Sequence, residues 1–298
     1  SASSRRYEGP LSIDKTTVIR AVAYRDGYLP SYSSTVTYLF GVKHVMPVVC
    51  VVTEPDNLWS DEKGIYVKGP NALAKFPYGS INRGANFWMR WERDAHVEMY
   101  ELDGSQTLSQ GTGLSLHGQY SRTEEQKAFS LTARAAYGDS LFRAALFPNR
   151  DYTEYRSFLL RSSGNDVKYS HMCDAVLTSL AKGLDLMYQD NVPVIVYLNG
   201  AYWGQYNLRE RVNPYSIAQW EGWPDRSVID VVKANTDTRH GSNESFDELL
   251  KYIKAHGIRT QKNLDYVAER VDIDNYLTYV AFQMYVGNND LLNVRRYR

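Results

Sequence analysis

The chain has 298 residues, 43% of them hydrophobic, and its 34 basic side chains are balanced by 34 acidic ones. That content can bury a sizeable core, and the length suits one large domain with something small beside it. The even charge, without any dense Lys/Arg block, excludes the electrostatic footprint of a nucleic-acid binder.

The longest apolar runs, residues 46–52 and 192–198, are far too short to span a bilayer and suit buried strands instead. Cys50 and Cys173 lack the spacing of a zinc site or a disulfide framework, and both read as small core residues. No signal peptide is visible, but the abrupt start at Ser1 suggests an excised fragment, so this says little about compartment.

Residues 1 to about 40 read as a small β unit. Val18-Ile19-Arg20-Ala21-Val22-Ala23-Tyr24 and Thr35-Val36-Thr37-Tyr38-Leu39-Phe40 are β-branched and aromatic runs, with Asp26-Gly27 and Pro30 between them. In the second run Val36, Tyr38 and Phe40 alternate with polar neighbours, which predicts a half-buried strand. Two or three strands alone are marginally stable, so this unit leans on the rest of the chain or belongs with strands upstream.

From Pro47 the character changes. Pro47-Val48-Val49-Cys50-Val51-Val52 is a buried strand, a polar turn follows around Glu54-Pro55-Asp56-Asn57, and strand signals recur at 95–100 and 114–117. Helical spacing begins near Asp174, through Ala175, Leu177, Leu180 and Leu184. A strand pair then brackets Asn199-Gly200, a dipeptide suited to a type I′ hairpin turn. Beyond it, Phe246, Leu249, Leu250 and Ile253 keep helical spacing up to a stop at Gly257. Leu264, Val267, Ala268 and Val271 repeat that spacing, as do Leu277, Val280, Ala281 and Met284 before Gly287. A β-rich half followed by a helical half predicts an α+β fold of two lobes with a ligand cleft between them. No internal repeat or low-complexity tract is present.

The loop Gly287-Asn288-Asn289-Asp290-Leu291-Leu292-Asn293 lies between the last helical pattern and a strand-like run. An aspartate closely followed by an asparagine in such a loop is how phosphotransferases pair a base with a metal ligand; ordinary turn chemistry is the plainer reading. The six histidines show neither H-x-x-x-H nor H-E-x-x-H, and no G-x-S-x-G elbow occurs, which argues against a zinc or serine hydrolase. Asp272 and Asp274 stand before a helical run as caps. G-x-G-x-x-G is absent, and Gly111-Thr112-Gly113 with Gly118 is a weak substitute, because nearby glycines usually mark turns.

Two resemblances add to this reading. Ala21-Val22-Ala23-Tyr24, Asp26-Gly27-Tyr28-Leu29-Pro30-Ser31 and Tyr38-Leu39-Phe40 resemble the second half of the immunoglobulin-like module that ends chitobiases and hexosaminidases. This implies a partial β-sandwich module over residues 1–41, with a spacer or adhesion role. A longer series of blocks resembles the spore-coat protein H (CotH) kinase-like family: Pro47-Val48-Val49-Cys50-Val51-Val52-Thr53, Asp56-Asn57-Leu58-Trp59, Gly64-Ile65-Tyr66-Val67, Trp91-Glu92-Arg93 and His117-Gly118-Gln119-Tyr120-Ser121-Arg122. It continues through Gln126-Lys127-Ala128-Phe129, Arg161-Ser162-Ser163-Gly164-Asn165-Asp166, Tyr197-Leu198-Asn199-Gly200-Ala201-Tyr202-Trp203-Gly204, Tyr206-Asn207-Leu208-Arg209-Glu210 and Gly287-Asn288-Asn289-Asp290.

The second resemblance implies a two-lobed, divergent protein-kinase-like domain over residues 42–298. It also implies ATP, Mg or Mn, a protein substrate phosphorylated on serine, and an exported or cell-surface setting. Lys127 is then the candidate for the nucleotide phosphates, the alternative being a solvated strand lysine. Arg122 either forks onto a phosphate or pairs with a local carboxylate. Glu210 contacts ribose or adenine, or is a surface ion pair with Arg209 or Arg211. Asp174 pairs with Lys127, or interacts with its own helix dipole; the family usually has arginine before this aspartate, where Cys173 stands. Asp290 is the catalytic base and Asn293 the metal ligand, although the family more often spaces these residues one or two positions further apart. The family's second metal-binding aspartate falls past Arg298, so the chain as given is expected to be an impaired catalyst. The alternative is a non-catalytic adhesion or glycan/protein-binding module on the same scaffold, suggested by 24 tyrosines and six tryptophans.

Overall fold

The computed structural model describes residues 4–72, 84–234, 237–290 and 294–298. Its strands and helices run β1 (Thr17–Ala21), β2 (Ser34–Tyr38), β3 (Val48–Val52), α1 (Pro55–Trp59), β4 (Arg93–Tyr100), β5 (Gln106–His117), β6 (Ala128–Thr132), β7 (Phe142–Arg143), β8 (Glu154–Tyr155) and β9 (Ser157–Arg161). There follow α2 (Cys173–Ser179), β10 (Asn191–Leu198), β11 (Ala201–Glu210), α3 (Pro214–Glu221), β12 (Val231–Lys233), β13 (Asp237–His240), α4 (Glu244–His256), α5 (Gln261–Ala268), α6 (Ile273–Tyr285) and β14 (Arg295–Tyr297). Most strands precede the run α4 to α6, without regular βαβ alternation, so the fold is α+β. Among the described residues no helix is long and apolar enough to cross a membrane. The chain divides into two compact units: Ser1–Ser140 with Pro193–Tyr206, and Leu141–Val192 with Asn207–Arg298.

In the first unit β3, β4, β5 and β6 form an antiparallel meander, and β10 lies parallel to β3 on its other side. All five β3 residues are buried, as a Val-rich run with no polar face requires. The β10–β11 turn has φ of 51° at Asn199 and 81° at Gly200, the left-handed pair that Asn-Gly adopts in a type I′ turn. Asn199 Oδ1 accepts from Thr53 N at 2.8 Å, which fastens this turn to the end of β3.

Gly111 and Gly113 lie inside β5 and do not mark a turn. The Tyr137 carbonyl crosses Gly111 and the Glu92 carboxylate packs on Gly113, each within the space a Cβ would occupy. Glycine is needed there for close approach, and β5 runs well beyond the short strand its sequence suggests.

The β1–β2 hairpin pairs Thr17 with Tyr38 and Ala21 with Ser34. Its inward face is the reverse of the expected one: Thr35 and Thr37 are buried, whereas Val36, Tyr38 and Phe40 are exposed. Thr37 N donates to Oε1 of the fully buried Glu98 at 3.2 Å, which ties the backbone of β2 to β4 on this polar inward face. Beyond the hairpin Leu39, Val42 and Met46 pack on the cluster of Val48, Cys50, Ile195 and Tyr197. Burial, aided by the Glu98 charge, pushes the Cys50 thiol up to about 12, as suits an inert core residue. Cys173, by contrast, is exposed at the start of α2, where its side chain joins no core.

The second unit is not purely helical. It holds the β7–β8 pair, β9 against the end of β11, and a sheet of order β13-β12-β14. The helix expected through Leu184 ends at Ser179, and the chain then turns through Gly183 at φ 85°. Asn213 starts α3 with a capping box, accepting from Tyr215 N and Ser216 N while Ser216 Oγ accepts from Asn213 N. Ile217 and Ala218 of α3 pack with Ile229 and Val231 into a small core. Gly257 terminates α4 at φ 65°, Thr260 caps α5, and Asp272 caps α6 by accepting from Asn275 N at 2.9 Å. A Gly111→Ala substitution drives a methyl into the Tyr137 carbonyl; it should cost roughly 1–3 kcal/mol, read as a lower urea midpoint at unchanged slope.

Candidate functional site

Lys127 immediately precedes β6 and is only 5% exposed. Its backbone is clamped on both sides, with N donating to Tyr66 Oη and O accepting from Tyr206 Oη, both at 2.9 Å. Trp203 Nε1 donates to the same Tyr66 oxygen at 3.2 Å, and Trp59 packs on both rings, so the strand entrance is held by an aromatic wall. Lys127 Nζ donates to the Glu124 carbonyl at 2.6 Å and sits 5.1 Å and 4.9 Å from the ring centres of Tyr66 and Phe87. Ring faces favour a cation, yet no carboxylate forms an ion pair with it among the described residues. Burial therefore pulls the ammonium down to about 8, although Glu124 and Glu125 raise it. It remains mostly charged at neutral pH and lacks a full counter-charge.

Arg122 lies nearby, since Lys127 and Arg122 both contact the segment around Phe87. Its Nε donates to Gly118 O at 2.8 Å, one terminal amino group to Leu116 O at 3.0 Å, and the other to Phe87 O at 3.3 Å and Trp88 O at 3.5 Å. These are all backbone acceptors. Neither a phosphate fork nor a pairing with a local carboxylate describes these contacts; the guanidinium staples the turn after β5 to the preceding 3-10 turn.

Glu210 ends β11 and is 2% exposed, so it is not a surface ion pair with Arg209 or Arg211. Its partner is Arg150, whose terminal amino group reaches Oε2 at 2.7 Å and whose Nε reaches both oxygens. Tyr152 Oη donates to Oε1, and Asp190 N to Oε2 at 3.2 Å, so both carboxylate oxygens are engaged. Arg150 is also stacked between Tyr188 and Trp220, 4.6 Å from each ring centre. Burial by itself would lower the Arg150 guanidinium, but the Glu210 contacts outweigh it and hold the group above its ordinary value. Burial and the Glu210 charge raise Tyr152 well above the usual phenol range, which keeps it a donor.

Asp174, in the first turn of α2, takes Arg161 Nε at 2.6 Å and a terminal amino group of Arg209. These two arginines, and not Lys127, are its ion-pair partners among the described residues. Asp290 is exposed after α6, with its N–H donating to Asn288 Oδ1 at 2.9 Å in an Asx turn. Its carboxylate carries no hydrogen bond or ion pair among the described residues. Asn293 lies outside the described residues. No group of three or more His, Cys, Asp or Glu side chains comes together for a metal among the described residues.

The structure thus brings Lys127 and Arg122 to one segment of the first unit, and places Asp174 and Glu210 in two separate polar centres of the second. Arg150, Tyr152 and Asp190 escaped the sequence reading, because nothing local marks a loop arginine as the buried partner of a glutamate 60 residues away.

Residues 114–298 match the CotH kinase protein family, over more than half of the chain. The chain belongs to the CotH kinase family. No curated protein matches it. The CotH region opens within β5 and includes Arg122, Lys127, Asp174, Glu210 and Asp290, while β1 to β4 precede it.

Within this CotH region, truncating one half of the Arg150–Glu210 pair leaves a desolvated charge alone. Glu210→Ala should cost roughly 3–5 kcal/mol in a denaturation curve. The double variant Arg150→Met/Glu210→Leu should recover most of that loss.

Proposed function

We propose that this CotH domain is an atypical ATP-dependent protein kinase that transfers the γ-phosphoryl group of ATP to serine of a protein substrate, in an exported or surface protein. Beside family membership, the observation that carries the reading is the Lys127 ammonium, buried among aromatic rings with no carboxylate ion-paired to it among the described residues. An anionic phosphate would complete that charge, as the strand lysine of kinases does. Arg122 and Glu210 already have their polar groups engaged, so phosphate binding falls to Lys127. The open carboxylate of Asp290 accepts the proton of the serine hydroxyl and orients it for in-line transfer. Bound Mg²⁺ or Mn²⁺ would neutralise charge on the transferring phosphoryl group, with Asn293 as its candidate protein ligand.

The test is a thermal-shift titration with ATP and Mg²⁺ or Mn²⁺, alongside transfer of labelled phosphate to serine-containing proteins. ATP should raise the melting temperature. Lys127→Met should weaken ATP binding at least ~10-fold without lowering the melting temperature of the free protein, because it removes a buried ammonium. Asp290→Asn should keep the ATP-induced shift and cut transfer by about 10²–10⁴-fold. The pH dependence has a defined sign: the lysine charge is present below about 8 and lost above it, so ATP affinity should fall as pH rises through that value. Absence of a shift with any nucleotide overturns the proposal. Exposed Tyr24, Tyr28 and Tyr32 near the β1–β2 hairpin favour one other reading, a non-catalytic glycan- or protein-binding module. Binding to a glycan array without any nucleotide response would establish it instead.

A further inference from the structure

One polar centre of the second unit carries more positive charge than it neutralises. Asn207 of β11 pairs with Arg161 of β9, so Arg161, Asn207 and Arg209 share one face of the strand pair. Asp174 and Thr178 of α2 meet that face. Arg209 donates to Asp174 and, at 2.8 Å, to Thr178 Oγ1. Among the described residues its Nε–H finds no acceptor, although the residue is only 4% exposed. Arg161 also leans on Asp174, at 2.6 Å, but its side chain is 31% exposed and has no other partner among the described residues. Its outer amino group lies beside Gly164, where a Cβ would stand 3.4 Å away, so the glycine leaves the guanidinium uncovered.

The nearest acidic candidate in the same loop is already committed: Asp166 accepts from Ser170 N, Ser170 Oγ and Cys173 N. The cluster therefore holds two guanidiniums and one carboxylate. Burial lowers the Arg209 guanidinium, Asp174 raises it, and Arg161 lowers it again, which is the mark of two like charges in one enclosure. Arg161 and Arg209 also stand in two of the sequence blocks, Arg161 to Asp166 and Tyr206 to Glu210, that the proposed catalysis leaves without a ligand.

We propose that Arg161, backed by Arg209, is a binding subsite for a phosphate group, whose charge balances the guanidinium that Asp174 leaves uncompensated. A guanidinium offers a planar fork to phosphate oxygens, and a second arginine behind it raises the local potential. The choice of phosphate over another anion rests on the kinase reading; the source of the phosphate, a nucleotide or a phosphoserine of a protein, is for the experiment to separate.

Isothermal titration of the whole chain with inorganic phosphate, metal-free ATP, and a phosphoserine peptide beside its unphosphorylated form provides the test. Arg161→Gln should weaken phosphate binding at least tenfold. Asp174→Asn removes the competing carboxylate, so it should tighten phosphate binding several-fold, and phosphate should raise its melting temperature more than that of the wild type. A purely structural cluster would give neither effect, and an unchanged phosphate affinity in Arg161→Gln, or a weaker one in Asp174→Asn, overturns the proposal. If Asp174→Asn does not fold, Arg161→Gln decides alone. Loss of peptide binding with ATP binding intact identifies a phosphoprotein, and the converse a nucleotide. Phosphate binding without any phosphoryl transfer would sink the kinase reading while leaving this subsite standing.

Discussion

A β-strand sends successive side chains to opposite faces, and the end of β11 uses this to bury two opposite charges that are neighbours in sequence. Glu210 goes to one side and meets Arg150; Arg209 goes to the other and meets Asp174. Two desolvated charges in adjacent positions persist only because each face supplies its own counter-ion and hydrogen bonds. The strand thereby fixes much of its surroundings: the loop carrying Arg150 and Tyr152, the Asp190 backbone, and the α2 helix. Tyr188, ahead of β10, and Trp220 of α3 close over Arg150.

The first unit solves its polar problem differently. Lys127 has aromatic rings and a carbonyl where Glu210 has an arginine. Rings offer a cation partial compensation and no proton acceptor, so the site keeps a net charge that an oppositely charged group can still satisfy. The contrast is between saturated hydrogen bonding at Glu210 and incomplete neutralisation at Lys127. Arg122 belongs with the saturated kind, since backbone carbonyls of two segments consume its donors.

Much of the architecture was legible in the sequence wherever one local rule decided the outcome. The five-residue apolar run of β3, the Asn199-Gly200 turn, and the stops and caps around α4, α5 and α6 each follow from neighbouring residues alone. Asn213-Pro214 with Ser216 carried an equally local start signal for α3. What could not be read depends on partners far along the chain. Nothing near Gly111 announces that Tyr137 will cross it, and nothing near Glu210 announces Arg150. Asp290 stood out in sequence through its loop, but its availability is a matter of what does not bind it, which only coordinates show among the described residues.

The β1–β2 hairpin has a further consequence. Its threonines point inward and its valine and tyrosine outward, while the Thr37 backbone N–H donates to the buried Glu98 carboxylate. Water would favour the opposite choice, with Val36 and Tyr38 sheltered and the hydroxyls wet. The outer side of this strand is therefore partly apolar, and one carboxylate of β4 ties its backbone to the strand beneath.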